Sequence, residues 1–389
     1  MAKNIIFCAD GTWNGPGATD DDTSGKVTSV FKLFVNLDGH DDPNTALLAD
    51  EQERNLTVDG VTLQCAKYLH GVGDSNNYLA KVLGGTIGAG LIARIVRGYT
   101  YVSRNYEPGD RIYITGFSRG AYTARALAGL IVRKGLLDAR QYNLSDRQAA
   151  YQRGSAVWYS YRKAALEADA GRLERLQETL FDLPHFIFMG PDEGKLIATD
   201  IEAVAVWDTV GSLGIPQFTV DAERIDGFQF ADLNLSAKVH HGRHAVAADE
   251  QRDDFTPTLW NPDPRIIQVL FPGAHSDVGG GYPVPKEGGL SDCAMAWLAS
   301  ELRKLGVRFS DTPKYIATPF AKGQAHTPWL DLPWSLLPHK PRVFSNGLCI
   351  ARSLIDRCAA NFDPVYAPTN LADYLLDGLA RRDITVIDA

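Results

Sequence analysis

The sequence contains no apolar run long enough to cross a membrane. A spanning helix needs about 18 or more consecutive apolar residues, and every apolar stretch of this chain of 389 residues is shorter. The first residues, MAKNIIFCADG, carry one lysine before an apolar run that is too short for a signal peptide. We therefore expect a protein that is soluble and cytoplasmic where it is made. Export would require a secretion route that does not read an N-terminal signal.

Cysteines are few, and the chain has no excess of basic residues. The five cysteines form no CxxC pair, which predicts reduced thiols instead of a disulfide framework. The formal net charge of −8 argues against general nucleic-acid binding, because that function needs a basic face to meet phosphates. A local basic patch would still be compatible with contact to a lipid headgroup. The cysteines are Cys8, Cys65, Cys293, Cys349 and Cys358.

Short apolar strands alternate with helical segments along most of the chain. This alternation predicts an α/β fold with a mainly parallel, doubly wound sheet, which we assign to a single domain over residues 1–389. Predicted strands lie at 4–9, 64–70 and 111–115 and begin near 201 and 265. Predicted helices lie at 27–36, 84–106, 121–135, 238–250, 290–306 and 346–362.

Two segments depart from this alternation. Residues 137–198 are charge-rich and helical in pattern, with a capping-box spacing at 145–148, and we interpret them as a helical cap inserted over the rim of the active site. Residues 311–345 are rich in tryptophan and proline and show no regular period. They form a lid, a shallow membrane contact or an extended segment packed on the sheet. We favour the packed segment.

The clearest motif is GFSRG at 116–120. A strand precedes it and a helix follows it directly, as expected for the nucleophile elbow G-x-S-x-G. The nucleophile of an elbow sits in a strained turn, so that bulky neighbours would clash with the flanking strand and helix. A serine also needs a base within hydrogen-bond reach to become a good nucleophile. Ser118 is therefore the candidate nucleophile.

An elbow predicts an acid and then a histidine in loops after later strands. Asp208 follows the strand-like AVAVW, and His275 follows the apolar run IIQVLFPGA. We assign Asp208 to orient the imidazole and His275 to accept the proton of the nucleophile. Asp277 is a rival acid, although its position two residues after His275 favours a role in ordering the glycine loop. Either Asp208 or His275 could instead be purely structural.

A nucleophile elbow also needs an oxyanion hole. One donor should be the amide of Arg119, and the other should come from a loop after an early strand. The loop ADGTWN fits, with Gly11 or Thr12 as the donor and Asp10 as the residue that orients the loop. The alternatives are a structural turn or a phosphoryl-transfer nucleophile at Asp10, although the aspartate expected two positions earlier is replaced by Cys8.

Metal and cofactor signals are weak. His240 and His244 have the i, i+4 spacing of metal ligands on a helix, but neither an HExxH glutamate nor a third ligand accompanies them. The glycines of GGTIGAG at 84–90 have the wrong spacing for a dinucleotide loop, and we interpret them as a turn and helix start. We expect no metal and no organic cofactor.

Several blocks of sequence together resemble the DUF2235 family, whose best-understood members are the type VI secretion phospholipase effectors called Tle1. The resemblance covers about residues 3–300 and implies an α/β-hydrolase fold with lipase-like chemistry, with Ser118, Asp208 and His275 as the catalytic triad. The blocks are ADGTWN (9–14), GVGD (71–74), GDRIYITGFSRGAYTARALAGLI (109–131), VWDTVGSLG (206–214), HAVAADEQRDDF (244–255) and FPGAHSDVGGGY (271–282).

The resulting hypothesis is a serine hydrolase of carboxylic esters, with a lipid or phospholipid as the leading substrate. A membrane-surface contact would follow from a lipid substrate, and an immunity protein would be a partner if the protein is a secreted effector. One alternative is an esterase for soluble small-molecule or polymeric esters. Another is a binding protein that keeps the fold without catalysis.

Overall fold

The structure is a computed structural model in which most of the chain is described. None of the helices in the described residues is long and apolar enough to cross a membrane. All five cysteines are free thiols. The described residues are 2–11, 26–45, 51–71, 87–166, 195–211, 233–283, 287–332, 334–344 and 347–389.

Strands and helices alternate, as the sequence predicts. The strands are β1 (Asn4–Ala9), β2 (Lys26–Thr28), β3 (His40–Asp41), β4 (Glu51–Val58), β5 (Val61–Leu69), β6 (Arg111–Phe117), β7 (Leu136–Leu137), β8 (Leu196–Ile197), β9 (Ile201–Trp207), β10 (Val239–Ala247), β11 (Ile266–Phe271), β12 (Gly280–Pro283), β13 (Cys349–Ala351), β14 (Leu375–Leu376), β15 (Leu379–Ala380) and β16 (Val386–Ile387). The helices are α1 (Ser29–Asn36), α2 (Ile87–Asn105), α3 (Arg119–Lys134), α4 (Arg147–Leu166), α5 (His275–Gly279), α6 (Gly289–Lys304) and α7 (Arg352–Cys358).

A large central sheet organises the described residues. Its strands follow the order β16-β13-β11-β10-β9-β6-β1-β5-β4-β3. The strands from β16 to β5 pair in parallel, whereas β4 and β3 add an antiparallel edge beyond β5. The prediction of an α/β protein with a mainly parallel sheet is therefore confirmed.

Helices cover both faces of this sheet because the side chains of its strands alternate between the faces. In β1, Ile5 and Phe7 point into the core that contains α2 and α3. Ile6 and Cys8 point into the opposite core, which contains α1 and α6. All four side chains are at most 1% exposed. A central strand that is buried on both faces reads as a continuous apolar run, which is the pattern of NIIFCA.

Two expectations about local structure are wrong. The segment 238–250, predicted as a helix, forms strand β10 between β9 and β11. The apolar run of such a strand has no period of two and is easily mistaken for a helix. The helix predicted at 346–362 is a short strand, β13, followed by the shorter helix α7. The hairpin partner of β5, strand β4, has no counterpart among the predicted elements.

The two segments of irregular pattern differ in structure. In the proposed cap, α4 packs against α2 and α3 with Trp158 fully buried, while residues 167–194 lie outside the described part of the chain. The described residues of the Trp/Pro-rich segment, 311–344 without 333, are mostly without regular secondary structure, apart from short 3-10 turns at Pro328–Leu330 and Trp334–Leu336. Trp329 is buried within this segment.

The parallel arrangement brings polar residues together at one edge of the sheet. Parallel strands end at the same edge, and ligands of open α/β sheets bind outside those carboxyl ends. The residues that follow β1, β6 and β9 are Asp10, Ser118 and Asp208, and His275 follows β11 after a turn of three residues.

Candidate active site

Ser118 occupies a strained junction between a strand and a helix. Strand β6 ends at Phe117 and helix α3 begins at Arg119, so that Ser118 alone forms the turn. Its backbone has φ 58° and ψ −125°, and its amide donates a hydrogen bond to the carbonyl of Trp207 at 3.1 Å. A positive φ is uncommon for a residue with a side chain and is often retained at functional sites.

The two glycines of GFSRG are required by close backbone packing. A Cβ atom on Gly116 would collide with the backbone of Gly120, and a Cβ atom on Gly120 would collide with the carbonyl groups of Ala9 and Asp10. Backbone atoms cannot move aside as the end of a flexible side chain can. The start of α3 therefore packs directly onto the end of β1.

His275 and Asp208 form a short buried hydrogen bond. Nδ1 of His275 lies 2.5 Å from Oδ2 of Asp208, and their side chains are 5% and 0% exposed. Burial lowers the pKa of His275 below its ordinary value of 6.5, and the bond to Asp208 only partly offsets this effect. The imidazole is therefore neutral at pH 7, with Nδ1 as donor and Nε2 as acceptor.

The Nε2 atom of His275 is available to accept a hydrogen bond or a proton. Among the described residues it is buried without a hydrogen-bond partner, so that the structure contains no bond between it and the Ser118 hydroxyl. The imidazole packs against the rings of Phe117 and Phe255, whose centroids lie 4.5 and 4.9 Å away. Phe117 directly precedes Ser118, which brings the serine and the imidazole to the same part of the site.

The carboxylate of Asp208 also forms an ion pair with Arg342, a residue that the sequence analysis missed. Arg342 donates to both carboxylate oxygens, at 2.7 and 2.9 Å, and the amide of Ala247 donates to Oδ1 at 2.9 Å. Burial alone would raise the pKa of Asp208, but Arg342 and His275 outweigh burial and hold that pKa well below its usual range. Like Ser118, Asp208 has a positive φ, of 32°.

Glu250 is a second residue that the sequence analysis missed. Its Oε2 atom accepts the backbone amide of His275 at 3.1 Å, and Arg252 donates to both of its carboxylate oxygens. Burial opposes ionisation, but Arg252 prevails and lowers the pKa of Glu250 to about 2. Glu250 belongs to the block HAVAADEQRDDF, whose pattern gave no indication of this role.

Asp277 lies beside His275 in sequence but contacts other groups. Its Oδ2 atom accepts the amides of Ala274 and His326, and its Oδ1 atom lies 2.6 Å from Nδ1 of His326. The His326 ring stacks on Tyr282, with their centroids 3.5 Å apart. These contacts tie the glycine loop to the Trp/Pro-rich segment.

Asp10 is buried and engaged in holding its own loop. Its side chain accepts hydrogen bonds from the Gly11 amide at 2.6 Å, the Thr28 hydroxyl at 2.7 Å and the Tyr68 hydroxyl at 2.5 Å. Burial raises its pKa to about 6, although these hydrogen bonds lower it. A carboxylate that is fully buried and hydrogen-bonded in this way is poorly placed to attack phosphorus.

The predicted oxyanion-hole residues lie partly within the described structure. The backbone of Gly11 approaches the nucleophile, because a Cβ atom on Gly11 would lie 3.3 Å from Cβ of Ser118. Its amide is already donated to Asp10. Arg119 is the first residue of α3, where the helix dipole favours negative charge. Thr12 lies outside the described residues.

The histidine pair considered for metal binding lies on a strand, β10, and His244 has a structural role. Its Nε2 atom accepts the Thr209 amide at 3.1 Å, and Nδ1 lies 3.2 Å from Oε1 of Gln268. Burial is the largest cause that lowers its pKa to about 3, so that it stays neutral. Within the described ranges, no group of three or more His, Cys, Asp or Glu residues is arranged to hold a metal.

The fold and the site define an α/β protein with a buried serine, imidazole and carboxylate at the carboxyl edge of a mostly parallel sheet. Comparison with protein families then identifies the group. The chain belongs to the family described as "T6SS, Phospholipase effector Tle1-like, catalytic domain", whose model matches residues 3–301. The resemblance inferred from the sequence blocks is thereby confirmed.

Individual relatives are distant. The chain is 28% identical over 268 residues to the uncharacterized protein YEL023C of Saccharomyces cerevisiae, covering 69% of this chain and 34% of that protein. An uncharacterized protein from Pseudomonas aeruginosa has a solved structure with 20% identity and a TM-score of 0.43, covering 79% of this chain and 46% of that one. The structure of the Tle1 effector bound to the VgrG spike of the type VI secretion system has 19% identity and a TM-score of 0.34, covering 72% and 51%. The chain thus spans about a third of the length of the yeast relative.

The packing of Gly120 predicts a sharp difference between two glycines of α3. We expect Gly120→Ala to lower the free energy of unfolding by about 1–3 kcal/mol, because its Cβ atom meets fixed backbone carbonyls. Gly129→Ala is the matched control, since a Cβ atom there meets only the Tyr161 hydroxyl, at 3.1 Å. Its effect should be smaller, because the Tyr161 hydroxyl is the end of a side chain that can shift and because alanine favours a helix more than glycine does. Denaturant unfolding measures both, and equal stabilities would contradict the packing argument.

Proposed function

We propose that the protein is a serine hydrolase of carboxylic esters that adopts an α/β-hydrolase fold and acts on lipids or phospholipids. The observation that carries the proposal is the buried 2.5 Å hydrogen bond between His275 and Asp208, at the sheet edge where the strained Ser118 also lies. Membership of a phospholipase effector family supports the same chemistry. No metal or organic cofactor takes part in the proposed reaction.

The proposed reaction has two halves. Ser118 attacks the acyl carbon while Nε2 of His275 takes its proton, and the alcohol leaves with that proton. Water then hydrolyses the acyl-enzyme, with His275 again acting as the base. Asp208 remains ionised throughout and stabilises the imidazolium, a role supported by its strongly lowered pKa.

A hydrogen bond between Ser118 and His275 would form with substrate in place. Catalytic hydrogen bonds are often long or poorly aligned before substrate binds. The buried, unpartnered Nε2 atom supports this view, since a buried acceptor gains free energy when it finds a donor.

The oxyanion would be held by backbone amides at the start of α3 and in the loop after β1. We assign one donor to the amide of Arg119. Because the Gly11 amide already donates to Asp10, Thr12 is the stronger candidate for the second donor. In this arrangement Asp10 acts by fixing the loop, not by touching substrate.

A lipid substrate is supported by the surface next to the site. Leu330, Leu332 and Leu336 are 63%, 76% and 78% exposed within a stretch of seven residues. Trp334, in the same stretch, packs on Phe255 with ring centroids 5.3 Å apart, and Phe255 packs on His275. The exposed leucines flank Trp334 in the sequence, and the rings of Trp334 and Phe255 connect that stretch to the imidazole of His275. Exposed apolar side chains near the site fit an enzyme that works at a lipid surface.

Two other functions differ from this proposal by a specific feature. An esterase for soluble esters would use the same triad but would have no need of the exposed leucines. A binding protein would keep the fold without a reactive Ser118. The solved Tle1 effector is bound to a VgrG spike, and a spike or an immunity protein would be a partner of this chain if it too is secreted.

The nucleophile is tested by substitution and labelling. We expect Ser118→Ala to lower kcat for p-nitrophenyl butyrate by roughly four to six orders of magnitude, because no other group can form the acyl-enzyme. A fluorophosphonate should add once to the wild-type protein and not to Ser118→Ala, as read by intact mass. Activity that survives Ser118→Ala, or that is lost with EDTA, would rule out the mechanism.

The lowered pKa of His275 sets the pH dependence. Catalysis needs neutral His275, so kcat/KM should fall at acidic pH with a midpoint below 6.5 and stay level through neutral pH. Asp208→Asn removes a charge that raises this pKa, so its residual activity should have a midpoint at still lower pH. Rates of soluble ester hydrolysis between about pH 4.5 and 9 measure both profiles. A wild-type midpoint above 6.5 would contradict the assignment.

The exposed leucines should matter only at a lipid surface. We expect Leu332→Ser with Leu336→Ser to slow hydrolysis of phosphatidylethanolamine and phosphatidylglycerol vesicles about ten-fold or more, because apolar burial in the bilayer is lost. Hydrolysis of p-nitrophenyl butyrate should be unchanged. The matched control is Val58→Ser with Val61→Ser, two residues 48% and 45% exposed at the opposite edge of the sheet. Equal losses in both double variants would refute a lipid-contact role.

A further inference from the structure

We propose that Arg342 is a positioning residue of the active site, which holds the Asp208 carboxylate in the orientation that His275 requires. The proposal rests on the proposed hydrolase function, because positioning has a meaning only if His275 acts as a base. Arg342 comes from the Trp/Pro-rich segment, beyond the residues 3–301 that the family model matches. A segment outside the matched domain would therefore complete its catalytic site.

The pairing of Arg342 with Asp208 is bidentate and buried. Nη1 of Arg342 donates to Oδ1 at 2.7 Å, and Nη2 donates to Oδ2 at 2.9 Å. The two side chains are 4% and 0% exposed. Two parallel bonds between a planar guanidinium and a planar carboxylate fix both the position and the plane of the carboxylate.

Arg342 is itself held by the surrounding backbone. The remaining donor on Nη1 bonds to the carbonyl of Ala247 at 2.8 Å, and the remaining donor on Nη2 bonds to the carbonyl of Phe255. The side-chain amide of Asn370 donates to the backbone carbonyl of Arg342 at 3.1 Å. The guanidinium therefore cannot turn away from Asp208 without leaving buried carbonyl groups unpaired.

The hydrogen bonds from Arg342 determine which oxygen of Asp208 bonds to His275 and in which direction. Oδ2 of Asp208 is shared between Nδ1 of His275 and Nη2 of Arg342, while Oδ1 is taken by Nη1 and the Ala247 amide. Rotation of the carboxylate would break several of these bonds at once. The imidazole consequently has one favourable direction for its Nδ1–H group, which fixes the direction of Nε2.

Arg342 also balances the charge in the site. Asp208 faces His275, His244 and Arg342, and His275 further faces the ion pair of Glu250 and Arg252. A lone carboxylate buried at this depth would be costly, and a fixed cation offsets much of that cost. The cation also keeps Asp208 from overstabilising a protonated His275 in the resting enzyme.

The test compares two buried arginines that brace the same segment. Arg342→Met removes both the positive charge and the two hydrogen bonds to Asp208. Arg342→Lys keeps the charge but cannot form the bidentate pair. Arg357→Met is the matched control, because Arg357 is also 6% exposed and donates to the carbonyls of Ala321 and Gly323, away from Asp208. Each variant is made in the full chain and measured for soluble ester hydrolysis, thermal stability and pH profile.

We expect Arg342→Met to lower kcat about 10- to 100-fold with little change in KM. The midpoint of its acid limb should move to higher pH, because the uncompensated Asp208 charge favours imidazolium. Arg342→Lys should recover part of the rate and most of the midpoint. Arg357→Met should lose comparable thermal stability but keep the wild-type kcat and midpoint.

The outcomes separate this proposal from the proposed function. If Ser118 is labelled and essential, but Arg342→Met keeps the wild-type midpoint and loses no more activity than Arg357→Met, the positioning role is wrong and the hydrolase stands. If wild-type Ser118 is neither labelled nor needed, the function itself fails. NMR titration of the His275 imidazole checks the shift without substrate, and an unchanged titration in Arg342→Met would overturn the proposal.

Discussion

The site depends on keeping one ionised carboxylate in a fully buried position. Asp208 is 0% exposed, and burial by itself would raise its pKa and favour the protonated form. Arg342, His275 and the Ala247 amide supply the donors that reverse this tendency. Each of these donors comes from a different part of the chain. Arg342 lies in the Trp/Pro-rich segment, His275 at the start of α5, and Ala247 at the end of β10. Forming the site therefore requires the sheet and the Trp/Pro-rich segment to be assembled together.

The parallel sheet explains why these groups can meet at all. Residues that follow β6, β9 and β11 are far apart in sequence but adjacent at the edge, since those strands lie close together in the sheet. The close packing of Gly120 on the end of β1 then joins the Ser118 turn to the loop of Asp10 and Gly11. Ser118, the start of α3 and the loop of Asp10 and Gly11 therefore lie together at this edge. The geometry follows from strand order more than from any single loop.

The sequence alone predicted the parts of this arrangement that leave a local pattern. Ser118, Asp208 and His275 each follow an apolar strand, so a search for polar residues after strands could find them. Arg342 left no such pattern, because it lies in an irregular segment and its importance comes from a partner 134 residues away. Strand β10 was taken for a helix, since a strand buried on both faces loses its alternation. Local sequence patterns therefore do not reveal contacts between residues far apart in the chain. They also do not distinguish a strand that is buried on both faces from a helix.

Two buried aspartates at the same edge of the sheet differ in pKa because their hydrogen-bond partners differ. Asp10 meets hydroxyl groups and one amide, and its pKa rises to about 6 because burial outweighs those neutral donors. Asp208 meets a guanidinium and an imidazole, and its pKa falls well below the usual range. A buried carboxyl group whose pKa is raised in this way can brace a loop, but it holds its negative charge less firmly than Asp208 does. The guanidinium beside Asp208 therefore accounts for much of the difference in pKa between the two aspartates.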